Sequence, residues 1–155
     1  MSKFPYIPEG YNAVMPALAV RQAHEAIEWY KDVFRAEEKM ALKDHNGTIV
    51  HAELVIGDTV VMLAEENPEY NCSPLTLGGN TINLFLYTID VDDLVRRAVE
   101  KGAKITRPLE DQFYGDRSGR IEDPFGYIWV VSTHIKDVSN EEMEKLMSEM
   151  QLTDQ

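Results

Sequence analysis

Two side chains in the segment His51-Ala52-Glu53 are spaced for acid–base chemistry. Residues two apart on a β-strand project from one face, so the His51 imidazole and the Glu53 carboxylate stand side by side. A carboxylate in that place can orient an imidazole that takes or gives a proton, or it can neutralise it in an internal ion pair. Both readings stand. Arg120-Ile121-Glu122 repeats the spacing. The Arg120 guanidinium suits a ligand carboxylate or phosphate, which it can meet with two parallel donors, and Glu122 shares its face. Tyr114, in Tyr114-Gly115-Asp116-Arg117, offers a ring and a hydroxyl. That segment reads either as a rim that closes over a ligand or as a structured loop with an Asp–Arg pair. The chain has no nucleophile elbow, P-loop or dinucleotide-binding glycine motif. Its single cysteine, Cys72, cannot form an intrachain disulfide. His24 and His45 read as solvated, His134 as a partner for the tail, and none has the paired spacing of a helical zinc motif.

These residues sit in a pattern written twice. Gly57 and Gly126, each opening a β-rich run, lie 69 residues apart. The same offset carries Asn12–Val20 onto Thr81–Ile89 and His51-Ala52-Glu53 onto Arg120-Ile121-Glu122. In the first half, Asn12–Val20 reads as a strand. Ala23, Ala26, Ile27, Tyr30, Val33 and Phe34 then fall on one helical stripe. Glu37–Lys43 and Thr48–Ile56 read as a hairpin around Asn46-Gly47, whose residue types favour positive φ, and Gly57-Asp58 turns into strand Thr59–Glu65. After a linker over Glu66–Asn80, the second half runs strand Thr81–Ile89, a helix capped by Asp90, strand Ala103–Pro108, a long connection, and strands Arg117–Glu122 and Tyr127–Thr133. The order βαβββ thus occurs twice, in modules 12–65 and 81–133 of one domain spanning 1–155. Ser139-Asn140-Glu141-Glu142 is a capping box ahead of Met143, Leu146, Met147 and Met150, which predicts a short amphipathic helix over 139–150.

The chain of 155 residues carries 27 acidic and 15 basic side chains, a formal net charge of −12. Nucleic acid and anionic membranes are therefore not expected as partners, since both need a basic surface. No apolar run approaches the ~20 residues of a membrane span, and the N-terminus lacks an apolar signal core, so the expectation is a cytoplasmic protein.

Several segments together resemble the vicinal oxygen chelate superfamily, the glyoxalase, bleomycin-resistance and extradiol-dioxygenase group, in its PhnB-like branch. They are Ile7-Pro8-Glu9-Gly10-Tyr11, Ala26-Ile27-Glu28-Trp29-Tyr30, His51-Ala52-Glu53-Leu54-Val55-Ile56-Gly57-Asp58, Phe113-Tyr114-Gly115-Asp116-Arg117-Ser118-Gly119-Arg120, Asp123-Pro124-Phe125-Gly126, Thr133-His134 and Asp137-Val138-Ser139. The resemblance implies an α+β fold: two βαβββ modules forming a cupped mixed β-sheet with helices outside, a ligand in the cup between them, and assembly as a homodimer. Members of this group usually have glycine where Arg35 stands, and often histidine where Tyr127 stands. In metal-dependent members, His, Glu or Gln occupy inward positions that align here with Met15, Val61, Leu84 and Val130. None of these is a ligand for a hard or borderline divalent ion, so no metal and no cofactor is expected, and the four residues become an apolar pocket floor. A metal-free small-molecule-binding protein is the leading expectation. The alternative is an enzyme of the group, a lyase, isomerase or dioxygenase, metal-dependent or using His51 and Glu53 for proton transfer.

Overall fold

The computed structural model describes residues 3–153, with side chains through residue 151. The chain divides into two compact units, Met1–Thr81 with Pro124–Tyr127, and Ile82–Asp123 with Ile128–Gln155. In unit 1, β1 (Ala17–Val20), α1 (Ala23–Phe34), β2 (Glu37–Lys43), β3 (Ile49–Ile56) and β4 (Thr59–Glu65) precede a four-residue helix, α2 (Pro74–Leu77). In unit 2, β5 (Asn83–Tyr87), α3 (Val91–Glu100), β6 (Lys104–Asp111), β7 (Asp116–Glu122) and β8 (Ile128–His134) precede α4 (Asn140–Thr153). The sheets have the orders β1-β4-β3-β2 and β5-β8-β7-β6. Within each, the first and last strands pair in parallel and the remaining pairs are antiparallel. This is the α+β fold with a repeated module that the sequence predicts.

Helix α1 forms where the apolar stripe predicts it, and Ala23, Ala26, Ile27, Trp29, Tyr30, Val33 and Phe34 are buried. Its N-terminal amides are satisfied from another strand: the Glu65 carboxylate accepts from the N–H groups of Gln22 at 3.0 Å and Ala23 at 2.7 Å. That anchorage holds Gln22 at φ 60. The helix stops at Arg35, which takes φ 57 and donates its N–H to the Tyr30 carbonyl. A helix stop of this kind normally uses glycine, which has no Cβ to collide with the backbone. The loop Pro124–Tyr127 completes the unit's core. Phe125 places its ring 6.3 Å from Trp29 and 5.9 Å from Tyr30. The Gly126 carbonyl accepts from Asn80 Nδ2, and the Tyr127 hydroxyl donates to the Ala19 carbonyl.

Some boundaries differ from the sequence reading. Strand β1 begins at Ala17 rather than Asn12, because Pro16 has no N–H for the ladder, although its carbonyl still accepts from Met62 N at 2.9 Å. The β2–β3 turn is organised by Asp44, whose side chain accepts from Asn46 N and Thr48 N. Of Asn46 and Gly47, only Gly47 has positive φ. The connection read after Pro108 is mostly strand. Register shifts on both sides of Arg107 let β6 continue through Pro108 to Asp111. β5 is shorter than Thr81–Ile89, and α4 starts at Asn140, with Ser139 Oγ accepting from Glu142 N.

Phe125 is 5% exposed, and Phe125→Ala is expected to lower the denaturant-derived stability by ~3–5 kcal/mol, the range for deleting a buried aromatic ring. Arg35→Gly is expected to raise it by roughly 0.5–1 kcal/mol, the left-handed strain relieved less the freedom gained by the unfolded chain.

Candidate functional site

Strand register decides which side chains share a face, because cross-strand partners point the same way. In unit 1, Ala52, Leu54 and Ile56 of β3 lie opposite Leu63, Val61 and Thr59 of β4. Leu18 and Val20 of β1 share that face through Leu63 and Glu65. This is the face that α1 covers, and Leu18, Val20, Ala52, Leu54, Val61 and Leu63 are all at most 5% exposed. The other face carries Glu53 opposite Met62 and Ala17, with Val55 opposite Val60, and His51 two residues before Glu53. His51, Glu53 and Val55 therefore face away from the helix, as the alternation predicts.

In unit 2, Ile121 lies opposite Trp129, and Leu84 and Leu86 lie opposite Trp129 and Val131. These face α3, whose buried side chains are Val91, Leu94, Val95 and Ala98. The open face carries Asp116, Ser118, Arg120 and Glu122 on β7, Ile128, Val130 and Ser132 on β8, and Asn83, Phe85 and Tyr87 on β5. Arg120, Glu122 and Val130 are thus brought together.

Two of the expected floor residues are placed elsewhere. Val61 is 4% exposed and belongs to the helix-covered face, and Leu84 faces α3. The offset of 69 carries Glu53 onto Glu122, open face onto open face, but it carries Val61 onto Val130, helix face onto open face. The turn from β3 to β4 has two residues, Gly57 and Asp58, whereas five separate β7 from β8. The insertion changes the offset by an odd number, and one residue of slip reverses every side chain. One residue further along, Met62 on β4 and Phe85 on β5 lie on the open faces. Met15 precedes β1 and is half-buried. Tyr114 lies in the β6–β7 connection, where it and Phe113 line a groove against Met143 and Met147 of α4.

Each open face holds one buried carboxylate shared between a tyrosine and a histidine. Glu53, 4% exposed, accepts from the Tyr11 hydroxyl at 2.6 Å and lies 3.0 Å from His51 Nε2. Lys39 Nζ is 3.9 Å from the same carboxylate and sits over the Tyr11 ring. Hydrogen bonds from His51 and then Tyr11 hold the Glu53 carboxyl below the ordinary glutamate value, against the opposing effect of burial. In unit 2, Asp116, 5% exposed, accepts from the Tyr87 hydroxyl at 2.7 Å and lies 2.7 Å from His134 Nδ1, while His134 Nε2 faces Asp137 at 2.7 Å. Asp137 and then Asp116 raise the His134 pKa. The hydrogen bond to Asp116 likewise raises that of Tyr87. The loop reading that paired Asp116 with Arg117 is corrected: Arg117 bonds Asp92 and Asp111. Tyr11 and Tyr87 were not singled out from sequence. Tyr87 was accessible through the alternation Asn83, Phe85, Tyr87, but Tyr11 reaches Glu53 across 42 residues by a tertiary contact with no local signal.

A cleft of about 360 Å³ opens in unit 1. His51, Met62, Ala17 and Ala64 line it from the sheet, and Asn67 and Tyr70 from the turn after β4. That turn is fixed by Glu66, which accepts from Ser73 N at 2.7 Å, from Thr76 Oγ1 at 2.8 Å and from Arg21 Nε at 3.1 Å. These donors pull the Glu66 carboxyl down to about 2.

Residues 12–131 match the family model of the Glyoxalase/Bleomycin resistance protein/Dioxygenase superfamily, and the chain belongs to that family. An uncharacterised protein of Mycobacterium bovis is 35% identical over 140 residues, covering 88% of this chain and 92% of its own. Among solved structures, TioX from Micromonospora sp. ML1 is similar at TM-score 0.62 and 27% identity, over 83% of this chain and all of TioX (100%). The PhnB protein from Bacillus cereus shares the fold at TM-score 0.62 and 17% identity, over 79% of this chain and 99% of its own.

The family's metal site does not fit these residues. Met15, Val61, Leu84 and Val130 offer no imidazole or carboxylate, and the register-corrected residues Met62 and Phe85 offer none either. Among the described residues no group of three or more His, Cys, Asp or Glu is positioned for a metal ion, and no helix is long and apolar enough to cross a membrane.

Because the Glu53 pKa is lowered on folding, its network contributes stability that is complete above the ordinary glutamate value of 4.5 and is lost as pH falls through the lowered one. Tyr11→Phe is expected to move the Glu53 carboxyl titration upward in ¹³C NMR and to flatten the acid limb of the stability profile. An unchanged Glu53 titration would remove Tyr11 from the network.

Proposed function

We propose that this chain is a metal-free small-molecule-binding protein of the glyoxalase/bleomycin-resistance type, whose ligand is held on open sheet surface. The observation that carries the reading is the unit 1 cleft. Its lining joins apolar side chains, Met62, Ala17 and Ala64, to convergent polar ones, His51, Asn67, Tyr70 and Asn71, and polar groups placed in a cleft fix a ligand's orientation. Buried Glu53 fixes His51, so the polar group is presented in one orientation before ligand arrives. Assembly as a homodimer and a cytoplasmic location belong to the same proposal, and sedimentation equilibrium tests the first.

The test uses protein carrying ¹³C-methyl methionine and a neutral aromatic probe, 1-naphthol. Saturable binding that moves the Met62 methyl signal, raises Tm with probe concentration and weakens in Met62→Glu is the expected result. Shifts confined to Met143 and Met147 would instead place the probe in the α4 groove and contradict the reading.

A second reading, an enzyme using His51 and Glu53 for proton transfer, is favoured by their 3.0 Å contact. It predicts that His51→Ala abolishes any turnover the protein supports. Activity retained in His51→Ala would remove His51 from the mechanism.

A further inference from the structure

The imidazole at the unit 1 cleft has one of its two nitrogens already taken. Glu53 accepts from the Tyr11 hydroxyl at 2.6 Å on Oε2, and its Oε1 lies 3.0 Å from His51 Nε2. Lys39 Nζ stands 3.9 Å away. His51 first, and then Tyr11, keep the Glu53 carboxyl below the ordinary glutamate value, so near neutral pH it is ionised. An ionised carboxylate accepts hydrogen bonds and donates none. The hydrogen in the His51 contact therefore belongs to Nε2, and the neutral ring keeps its lone pair on Nδ1.

Nothing among the described residues takes up that lone pair. The His51 side chain bonds Glu53 alone. Its cross-strand neighbour on β2 is Leu42, whose side chain has no polar atom. The buried side-chain nitrogen left without a partner is Arg120 Nε, not His51 Nδ1, so Nδ1 is open to solvent. The rest of the cleft narrows the ligand further. Asp44, Glu65 and Glu66 border it, and no lysine or arginine does. Backbone amides meet Asp44 and Glu65, and neutral donors leave a carboxylate its charge. Glu66 has Arg21 as well. Like charges at the wall disfavour an anion.

We infer that the unit 1 cleft selects a ligand that donates a hydrogen bond to His51 Nδ1 and carries no negative charge, a phenolic hydroxyl or aromatic N–H on an apolar body seated against Met62. The inference rests on the binding-protein reading and adds to it the chemical class of the ligand. A methyl group or a carboxylate in place of the donor displaces water from Nδ1 and leaves the acceptor without a partner.

The test uses the full chain and three probes on one ring system. They are 1-naphthol, 1-methylnaphthalene, which has the same shape without the donor, and the anion 1-naphthoate. ¹⁵N NMR of the neutral His51 ring is expected to show the proton on Nε2 and a bare Nδ1. The Nδ1 resonance is expected to move toward the N–H position with 1-naphthol and not with 1-methylnaphthalene. The affinity ratio of 1-naphthol to 1-methylnaphthalene is expected to fall roughly three- to tenfold in His51→Phe, the contribution of one neutral hydrogen bond. 1-Naphthoate is expected to bind more weakly than 1-naphthol, most of all at low salt. If His51→Phe does not fold, the wild-type Nδ1 resonance decides. A proton on Nδ1 overturns the inference, as does an unaltered ratio in folded His51→Phe, or 1-naphthoate bound as tightly as 1-naphthol. If 1-methylnaphthalene moves the Met62 methyl signal while Nδ1 does not respond to 1-naphthol, the inference falls and the binding-protein reading stands. A Met62 signal unmoved by every probe overturns both.

Discussion

A carboxylate buried in the middle of a four-stranded sheet constrains much of unit 1. Glu53 is 4% exposed, and an ionised group in that place needs donors to replace water. Three segments supply them: His51 from the same strand, Lys39 from β2, and Tyr11 from the arm before β1. The arm is shaped to deliver that hydroxyl. The Pro8 carbonyl accepts from Tyr11 N at 3.2 Å across a turn in which Gly10 has φ 81, a backbone value that glycine adopts without strain. One polar requirement thereby ties down the arm and the orientation of His51. Unit 2 meets a similar requirement at Asp116 with different elements, Tyr87 from the edge strand β5 and His134 from the end of β8.

The elements were largely legible because their signals are local. The stripe Ala23 to Phe34, the Asp90 cap, the bounds of β2 and β4 and the repeated βαβββ order all follow from periodicity and turn chemistry. Sidedness was legible only within a strand. Alternation places His51 and Glu53 on one face, but relating β4 to β8 by a constant offset assumes equal turns. The loop Pro124–Tyr127 breaks that assumption, since it fills the core beside Trp29 and Tyr30 instead of turning tightly. Val61 was misplaced for this reason, and Leu84 because the same constant offset was applied from Met15, which lies before β1. On the open face of unit 2, Arg120 was legible by alternation, while Arg107 was hidden by irregular pairing on both sides of it.

The family has a fold that hosts different chemistries, so membership leaves the reaction open and the site must speak for itself. Here the open faces combine apolar side chains with a few polar groups whose partners hold them in place. In unit 1 the fixed group is an imidazole beside a carboxylate held low in pKa. In unit 2 the groups held in this way include the Tyr87 hydroxyl, which donates to Asp116, and Arg120, which donates to Asn83 Oδ1. At Met15, Val61, Leu84 and Val130 the residue types are not those of the family's metal-ligand set.

All of this depends on one assignment, that the Glu53 face of unit 1 is the open one and that Met62 rather than Val61 belongs to it. Thiol labelling of Val61→Cys and Met62→Cys in a Cys72→Ser background tests it directly. The account predicts that Met62→Cys reacts in the folded protein and is protected by a cleft ligand, whereas Val61→Cys, at a site 4% exposed, reacts only as the protein unfolds. Rapid native labelling at Val61→Cys with protection at Met62→Cys would reverse the faces and contradict the account.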